Sequence, residues 1–394
     1  MALDTPPASV ARIRPEIDAL PDSQIVEVWK MGFEVPDVIG LWVGEGDIPT
    51  PQFICDAAAT ALKAGHTFYT HKRGIPALRQ ALSRYHARIN GAQVAVDRIT
   101  VTSAGMNAMM LIAEMLVGPG DNVLVVSPVW PNFSRAIEIM GGEAREVALE
   151  PGNRGWRLDL DKLFAAADAR TRAIYMATPG NPTGWLMEPD EMRAVLEFCR
   201  RRGLFVISDE VYHRFAYDRP VAPSFLAIAG PDDPLFVVNS FSKSWAMTGW
   251  RVGWMVTPAR LGAALDRLIE YNTSGGVEAL QEACVVALEE GEPFVRELVE
   301  RCHRAHDLVV RRLNAMKGVR VVPAPAAFYV MLQVEGMDAS LPLAKKLVRE
   351  ARVGLAPGSA FGKGGEGHLR LCYASSHERL AKAMDRLEAF FGKK

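Results

Sequence analysis

The chain has 394 residues, of which 49% are hydrophobic and 23% charged, so it is long enough for two domains and apolar enough to bury a core in each. Its net charge of −1 argues against a nucleic acid or an anionic membrane surface as the main partner, and no run approaches the ~18 apolar residues of a membrane span. Five scattered cysteines without a C-x-x-C pair exclude a disulfide framework and a zinc site, and residues 1–18 lack an apolar signal core. We therefore expect a cytoplasmic protein without a bound metal.

Residues 97–257 alternate apolar, β-branched runs with helical stretches. The sequence predicts helices at 107–116 and 189–202, and strands at 99–102, 123–126, 173–177, 204–207, 235–238 and 252–256. The strand runs are continuously apolar, which indicates that both of their faces are buried. The pattern predicts an α/β domain with a mainly parallel sheet flanked by helices.

The pattern changes after residue 276. Strands are predicted at 327–333 and 368–373, and helices at 277–289, 293–316, 341–351 and 378–391. This mixture is typical of a smaller α+β domain. We therefore predict a large domain at residues 46–285 and a small domain built from both chain ends, residues 1–45 and 286–394.

A lysine lies between two serines in the segment 240–251, SFSKSWAMTGWR. A lysine amine forms a Schiff base with an aldehyde, while hydroxyl groups and a guanidinium hold a phosphate. Lys243, with Ser240 before it and Arg251 after it, therefore predicts a site for a phosphorylated aldehyde cofactor, pyridoxal 5′-phosphate.

Other polar residues follow the predicted strands at their carboxyl ends, where open parallel sheets bind ligands. Asp209 follows strand 204–207, and its carboxylate would keep a pyridine nitrogen protonated, although capping of a loop is the alternative. Tyr212 and Asn181 are predicted to hydrogen-bond the phenolic oxygen of the cofactor. Asn181 belongs to an NPTG sequence, which by itself indicates only a turn.

Three further segments add candidates, each with a structural alternative. Residues 103–105, Ser-Ala-Gly, open a predicted helix and would bind an anion with their backbone N–H groups, or Ser103 would simply cap the helix. Trp130 would stack on a flat ring, or pack in the core. Arg370 lies between leucines and needs a partner, either a substrate carboxylate or a structural ion pair.

The chain resembles the class I/II aminotransferases, the fold type I pyridoxal phosphate enzymes related to aspartate and aromatic aminotransferases. The resemblance runs from about residue 21 to the C-terminus. Its ordered motifs are GEGD at 44–47, Tyr69 with GIPALR at 74–79, NPTG at 181–184, DEVY at 209–212, SFSKSWAMTGWRVG at 240–253 and LRLCYAS at 369–375.

The resemblance implies a role for each matching residue. Lys243 would form the Schiff base and carry the proton, with Asp209 and Tyr212 as the other catalytic residues. The cofactor-binding residues would be Ser103, Ala104, Gly105, Met106, Trp130, Asn181, Asp209, Tyr212, Ser240, Lys243, Arg251 and, from a neighbouring subunit, Tyr69. The substrate-binding groups would be Gly44, Asn181 and Arg370. The subunit-crossing role of Tyr69 implies a homodimer with shared active sites.

A basic triplet, His71, Lys72 and Arg73, follows Tyr69. If Tyr69 crosses to the partner, the triplet would lie near the rim of the partner's site and would favour substrates with a second carboxylate. The alternative is a solvated loop whose charges face water. The sequence leaves the amino donor and the oxo-acid acceptor open.

The reaction predicted from these observations is amino transfer between an L-amino acid and a 2-oxo acid. The nearest alternative is a β-eliminating C–S lyase on the same fold, because a fold does not determine the reaction. A non-catalytic pyridoxal phosphate-binding regulator is the alternative from another class. It would need an attached DNA-binding domain, and about 20 residues before the family-like region are too few for one.

Overall fold

The computed structural model describes residues 13–393. Residues 1–12, which belong to the predicted small domain, lie outside the described residues. Within residues 13–393 no helix is both long and apolar enough to cross a membrane.

A seven-stranded sheet forms the centre of the larger part of the chain. Its strands, in spatial order, are Ile99–Thr102, Gly253–Val256, Leu235–Ser240, Phe205–Asp209, Thr171–Ala177, Asn122–Ser127 and Glu143–Ala148. Only Gly253–Val256 runs antiparallel to its neighbours. The other strand pairs are parallel, so the predicted α/β fold with a mainly parallel sheet is confirmed.

Helices cover both faces of this sheet because its inner strands are buried on both sides, whereas the edge strand Glu143–Ala148 is largely exposed. They are Gln52–Lys63, Pro76–Asn90, Gly105–Leu116, Asn132–Ile139, Leu160–Ala165, Pro189–Arg202, Gly262–Glu270 and Glu278–Glu290. Pro189–Arg202 begins and ends at the predicted residues. Proline suits the first turn, and Gly203 ends the helix in the left-handed conformation at φ +66°.

A second, antiparallel sheet forms the centre of the smaller part. Its strands, in order, are Val319–Val322, Tyr329–Val334, His368–Cys372 and Ala356–Pro357. The helices Glu292–Asn314, Ser340–Lys346 and His377–Phe391 accompany it, and a π turn, Leu347–Ala351, continues the second of them. The strand predicted from residue 327 begins at Tyr329 instead, because Ala327 has a φ of +59° that interrupts the extended backbone.

The described N-terminal segment packs against this second sheet. It contains the helices Pro15–Asp18 and Gln24–Met31, and the short strand Ile39–Gly40 pairs with Val353–Gly354. Val28, Leu41 and Trp42 share a buried cluster with residues of the second sheet. A hairpin, Glu150–Gly152 with Gly155–Arg157, completes the strands of the described chain. The domain boundaries near residues 45 and 285 stay predictions.

Candidate active site

A cavity of about 520 Å³ opens at the carboxyl ends of the parallel strands. It is lined by the predicted site residues Gly44, Gly105, Met106, Trp130, Asn181, Asp209, Tyr212, Ser240, Lys243, Arg251 and Arg370. Five separate strand ends and the second sheet contribute these residues, so the fold brings together groups that are up to 326 positions apart, from Gly44 to Arg370. Three predicted residues, Ser103, Ala104 and Tyr69, are not among those that line the cavity.

Lys243 reaches the cavity from the turn after strand Leu235–Ser240. Its ammonium donates a hydrogen bond to the Gly44 carbonyl at 2.5 Å and lies 5.9 Å from the centre of the Tyr212 ring. Burial lowers the pKa of the Lys243 amine to about 8, because the charged form loses hydration. A larger fraction of this amine is therefore neutral, and nucleophilic, near pH 7 than of an exposed lysine.

Asp209 presents a carboxylate that has no ion-pair partner within residues 13–393. One oxygen accepts from the Val211 backbone N–H at 3.2 Å, and the Tyr175 hydroxyl lies 3.5 Å from the other. Burial raises the pKa of Asp209 to about 6. A cationic nitrogen in the cavity would offset the free-energy cost of burying the ionised carboxylate. The carboxylate is therefore suited to pair with a protonated pyridine.

Arg370 is held between two aromatic rings, with its guanidinium carbon 4.7 Å from the centre of the Tyr329 ring and 4.8 Å from that of Phe361. One terminal nitrogen donates to the Asn181 side chain at 2.9 Å, and the other donates to the Trp42 carbonyl. The buried Nε has no hydrogen-bond partner among the described residues. The side chain is therefore not used in a structural ion pair and can accept an anion.

Tyr212 and Tyr329 join the two sheets at the floor of the cavity. Their hydroxyls lie 2.6 Å apart, and burial raises the pKa of both. A side chain at Gly44 is excluded, because an added Cβ would stand 2.1 Å from the Tyr329 hydroxyl. Glycine at position 44 thus lets its carbonyl approach Lys243.

The opposite end of the cavity is suited to an anion. Gly105 and Met106 form the first turn of helix Gly105–Leu116, whose N-terminus has no side-chain cap. Its N–H groups are free for a ligand and carry the positive end of the helix dipole. Ser240 adjoins this turn, since an added Cβ on Gly105 would lie 3.6 Å from the Ser240 Cβ. Arg251 is exposed and donates to the Thr248 carbonyl at 2.6 Å.

The predicted residues outside the cavity lie nearby or on the surface. Ser103 does not cap the helix, and its backbone N–H donates to the Asn107 side chain at 3.2 Å. Ala104 is the N-cap residue, with a φ of +95°. Tyr69 is 92% exposed. Phe68, which precedes it, is also exposed, and so is Tyr271, which belongs to the segment 270–276 that Lys72 and Thr70 contact.

Several of the lining residues that the sequence did not single out come from the smaller part of the chain. Tyr329 lies in a predicted strand, but its position against Tyr212 depends on how the two sheets pack. Ile25, Val26 and Val43 line the cavity from the N-terminal segment. No local pattern distinguishes such apolar residues from core residues, so only the fold identifies them.

The family model for aminotransferase class I and II matches residues 36–387. A probable aspartate/prephenate aminotransferase from Aquifex aeolicus is 34% identical over 89% of this chain and 90% of that protein. An LL-diaminopimelate aminotransferase from Desulforudis audaxviator is 35% identical over 91% of each. The structure of an alanine aminotransferase from Pyrococcus furiosus is similar, with a TM-score of 0.91 and 28% identity over 96% of this chain and 99% of that one.

Proposed function

The chain belongs to the class I and II aminotransferases, which transfer amino groups between amino acids and 2-oxo acids, and we propose that it does so with pyridoxal 5′-phosphate bound in the cavity around Lys243. One observation carries the proposal: three complementary groups line the same cavity. They are the amine of Lys243, the carboxylate of Asp209, which has no ion-pair partner among the described residues, and the guanidinium of Arg370, whose Nε has no hydrogen-bond partner there. The relatives are named for an acidic donor (aspartate), a neutral donor (alanine) and a diaminodicarboxylic donor (diaminopimelate), so their names do not select a donor.

The chemistry of the cavity fits this cofactor at both ends. The N–H groups of Gly105 and Met106, with Ser240 and Arg251, would hold the phosphate, and the preceding loop residues Ser103 and Ala104 would position that turn. At the other end Asp209 would pair with the ring nitrogen. The ring would lie against Trp130, with Tyr212 and Asn181 at its phenolic oxygen.

When bound, pyridoxal phosphate supplies an aldehyde for the substrate amine and an electron-withdrawing ring that stabilises negative charge at the substrate Cα. The chain itself supplies the proton chemistry. Lys243 would take the proton from the substrate Cα as a general base and return it as a general acid, and its lowered pKa of about 8 suits both directions. Asp209, by staying ionised beside the ring nitrogen, would keep that nitrogen protonated.

The test of the proposal compares transfer with elimination. We expect the purified protein to convert a 2-oxo acid to its amino acid only when an amino donor is present, with one oxo acid formed for each one consumed. Release of ammonia and thiol from a cysteine thioether, without a need for an oxo-acid acceptor, would instead support the β-eliminating lyase. Binding of pyridoxal phosphate with neither reaction would support the regulator.

Arg370→Lys should lower kcat/KM by a similar factor for every amino donor, because all donors carry the α-carboxylate that Arg370 would bind together with Asn181 and the Gly44 backbone. Lysine cannot reproduce the planar fork, and loss of a charged hydrogen bond corresponds to roughly 10–100-fold. The measurement is kcat/KM across acidic and neutral donors. Arg193→Lys, which changes a surface ion pair with Asp190, is the control and should have no effect.

A loss confined to acidic donors would contradict this role. It would make Arg370 a reader of the donor side chain instead of the α-carboxylate.

We also propose a homodimer in which Tyr69 reaches the cofactor phosphate of the partner subunit. The proposal is supported by three exposed aromatic residues on two segments that contact each other, Phe68, Tyr69 and Tyr271, which are 80%, 92% and 89% exposed in the single chain. Monomeric proteins rarely leave such apolar groups together in water. A second copy would cover them and bring the hydroxyl of Tyr69 to a site that lacks it.

Mixing two inactive variants tests this arrangement. If Tyr69→Ala is inactive, mixed dimers of Tyr69→Ala and Lys243→Ala chains should regain activity. With Tyr69 acting across the interface, one site keeps both residues and the other loses both. With Tyr69 acting within its own chain, each site keeps one lesion and no activity returns, which would contradict the proposal. Each variant alone, taken through the same mixing procedure, is the control.

A cytoplasmic location is also proposed. It is supported by the five cysteines, which are all free and of which four are buried. Cell fractionation with an antibody against the protein tests it.

A further inference from the structure

Resting on the proposed function, we propose that the amino donor carries an uncharged, apolar side chain. This side chain would occupy the part of the cavity that the cofactor and the α-carboxylate leave open.

Three cations line the cavity among the described residues, and each has a task. Lys243 is the amine at the reacting carbon, Arg251 is at the phosphate end, and Arg370 binds the α-carboxylate. Within residues 13–393 Asp209 is the one acidic side chain in the lining, and it is assigned to the ring nitrogen. No charged side chain of residues 13–393 is thus left in the lining for a second carboxylate or a second ammonium of the donor.

The position of the donor side chain follows from two backbone contacts of the segment 42–44. The Trp42 carbonyl accepts a hydrogen bond from Arg370, and the Gly44 carbonyl accepts one from Lys243. Val43 therefore stands between the group that would bind the α-carboxylate and the group that would act at the Cα. A side chain that leaves the Cα on this side of the cavity meets Val43.

The surroundings of Val43 are apolar. Val26 and Ile25, from the first turn of helix Gln24–Met31, line the same cavity. Val43 and Val26 are 42% and 40% exposed in the protein alone, so their apolar surface is open and a donor side chain can cover it. The uncharged serines and asparagine Ser23, Asn132 and Ser242 line the cavity without a proposed contact to the cofactor, and Ser242 accepts a hydrogen bond from Ser240 at 2.8 Å.

Two of the three residues of the basic triplet that follows Tyr69, Lys72 and Arg73, are held by partners in their own chain. Lys72 forms an ion pair with Glu270 of its own chain. The Arg73 side chain is only 12% exposed, donates to the Asp97 carbonyl at 2.9 Å and lies 3.5 Å from a carboxylate oxygen of Asp266. Both cations would have to leave these partners to reach a neighbouring site, which argues against their binding a second carboxylate of the donor.

An acidic donor would place its second carboxylate against valine and isoleucine, where it loses part of its hydration and finds no charged partner, which disfavours its binding. A leucine-like donor would cover the same surface. A single methylene in an apolar pocket already changes kcat/KM by about 10–200-fold, so we expect kcat/KM for leucine to exceed that for aspartate or glutamate by about 100-fold or more.

The experiment measures kcat/KM for leucine, methionine, aspartate, glutamate and lysine with one fixed oxo acid. Independently of turnover, calorimetry compares the binding of two unreactive acids, 4-methylpentanoate and glutarate, to the holoenzyme. The inference expects 4-methylpentanoate to bind at least about tenfold more tightly. Equal or tighter binding of glutarate, or an equal or higher kcat/KM for an acidic or basic donor, would overturn it.

A matched pair of variants at Val26 tests whether the donor side chain lies beside this residue. Val26→Lys should raise the glutamate-to-leucine ratio of kcat/KM by about tenfold, because the new ammonium attracts the second carboxylate. Val26→Met, of similar length and without charge, should keep the preference for leucine. An unchanged ratio in Val26→Lys would overturn the placement of the donor side chain.

Different results would contradict amino transfer itself and the preference for an apolar donor. Absence of transfer from every donor would contradict the proposed function, while the binding comparison would still decide which side chain the cavity accepts. Transfer that favours an acidic donor would uphold the function and overturn the inference.

Discussion

Lys243→Ala is expected to lower kcat for amino transfer by roughly 10⁴-fold or more with every donor. The same amine is the proposed nucleophile toward the cofactor aldehyde and the proposed proton carrier at the substrate Cα, and alanine can do neither. The phosphate-holding groups around Gly105, Ser240 and Arg251 remain, so the variant should still bind pyridoxal phosphate. The measurement combines steady-state kinetics with cofactor binding by absorption spectroscopy.

The loss should not come from unfolding. In the cofactor-free protein the Lys243 pKa of about 8 lies below its usual value of 10.5, so the folded state bears a cost for the buried ammonium below pH 8. That cost decreases as the pH rises from about 8 to 10.5. At pH 7 the cofactor-free variant should therefore have a Tm no lower than that of the cofactor-free parent protein.

Lys162→Ala, which removes an exposed lysine paired with Glu150, is the matched control and should retain full activity. Near-native turnover in Lys243→Ala would contradict the assignment of this residue as the reacting amine.

Asp209→Ala is expected to lower kcat by more than about tenfold, and up to about 100-fold, while the fold is kept. Without the carboxylate the ring nitrogen loses its proton and the ring withdraws electrons poorly. The lost charged hydrogen bond alone is worth roughly 1.5–3 kcal/mol. A primary isotope effect with Cα-deuterated donor should grow, because proton removal becomes slower relative to the other steps.

A second variant, Asp209→Asn, separates this role from a structural one. In the cofactor-free protein burial raises the Asp209 pKa from 3.8 to about 6, so the ionised carboxylate destabilises the fold above pH 6 and no longer does so below about pH 4. Asp209→Asn should therefore stabilise the cofactor-free protein at pH 7 by about 1–3 kcal/mol and leave it unchanged near pH 4. For Asp209→Ala, a fall in kcat of less than about tenfold, equivalent to ~1.4 kcal/mol, would contradict the pairing of Asp209 with the ring nitrogen.

The sequence by itself determined six of the seven strands of the large sheet, the order of the motifs and the polar groups at the strand ends; it did not indicate the exposed edge strand Glu143–Ala148. Asp209 and Ser240 each end an apolar run, and strand Phe205–Asp209 is parallel to strand Leu235–Ser240 in the fold. Parallel strands carry their carboxyl ends to one edge of the sheet, so residues at these ends must converge. This is why a local pattern was sufficient to predict a common site for them.

Only the tertiary structure decided which residues from distant parts of the sequence lie at that edge of the sheet, and which charged side chains there are not already paired within the chain. Tyr329 reaches Tyr212 across 117 positions, and Arg370 reaches the Trp42 carbonyl across 328. The periodicity of apolar residues indicates which face of a single helix or strand is buried. It does not indicate how one sheet packs against another. The pairing of Lys72 with Glu270 is likewise a contact between distant segments. The sequence therefore identified the groups that act on the donor's amino and carboxylate ends, while the open, apolar surface of Val26 and Val43 became visible only in the folded chain.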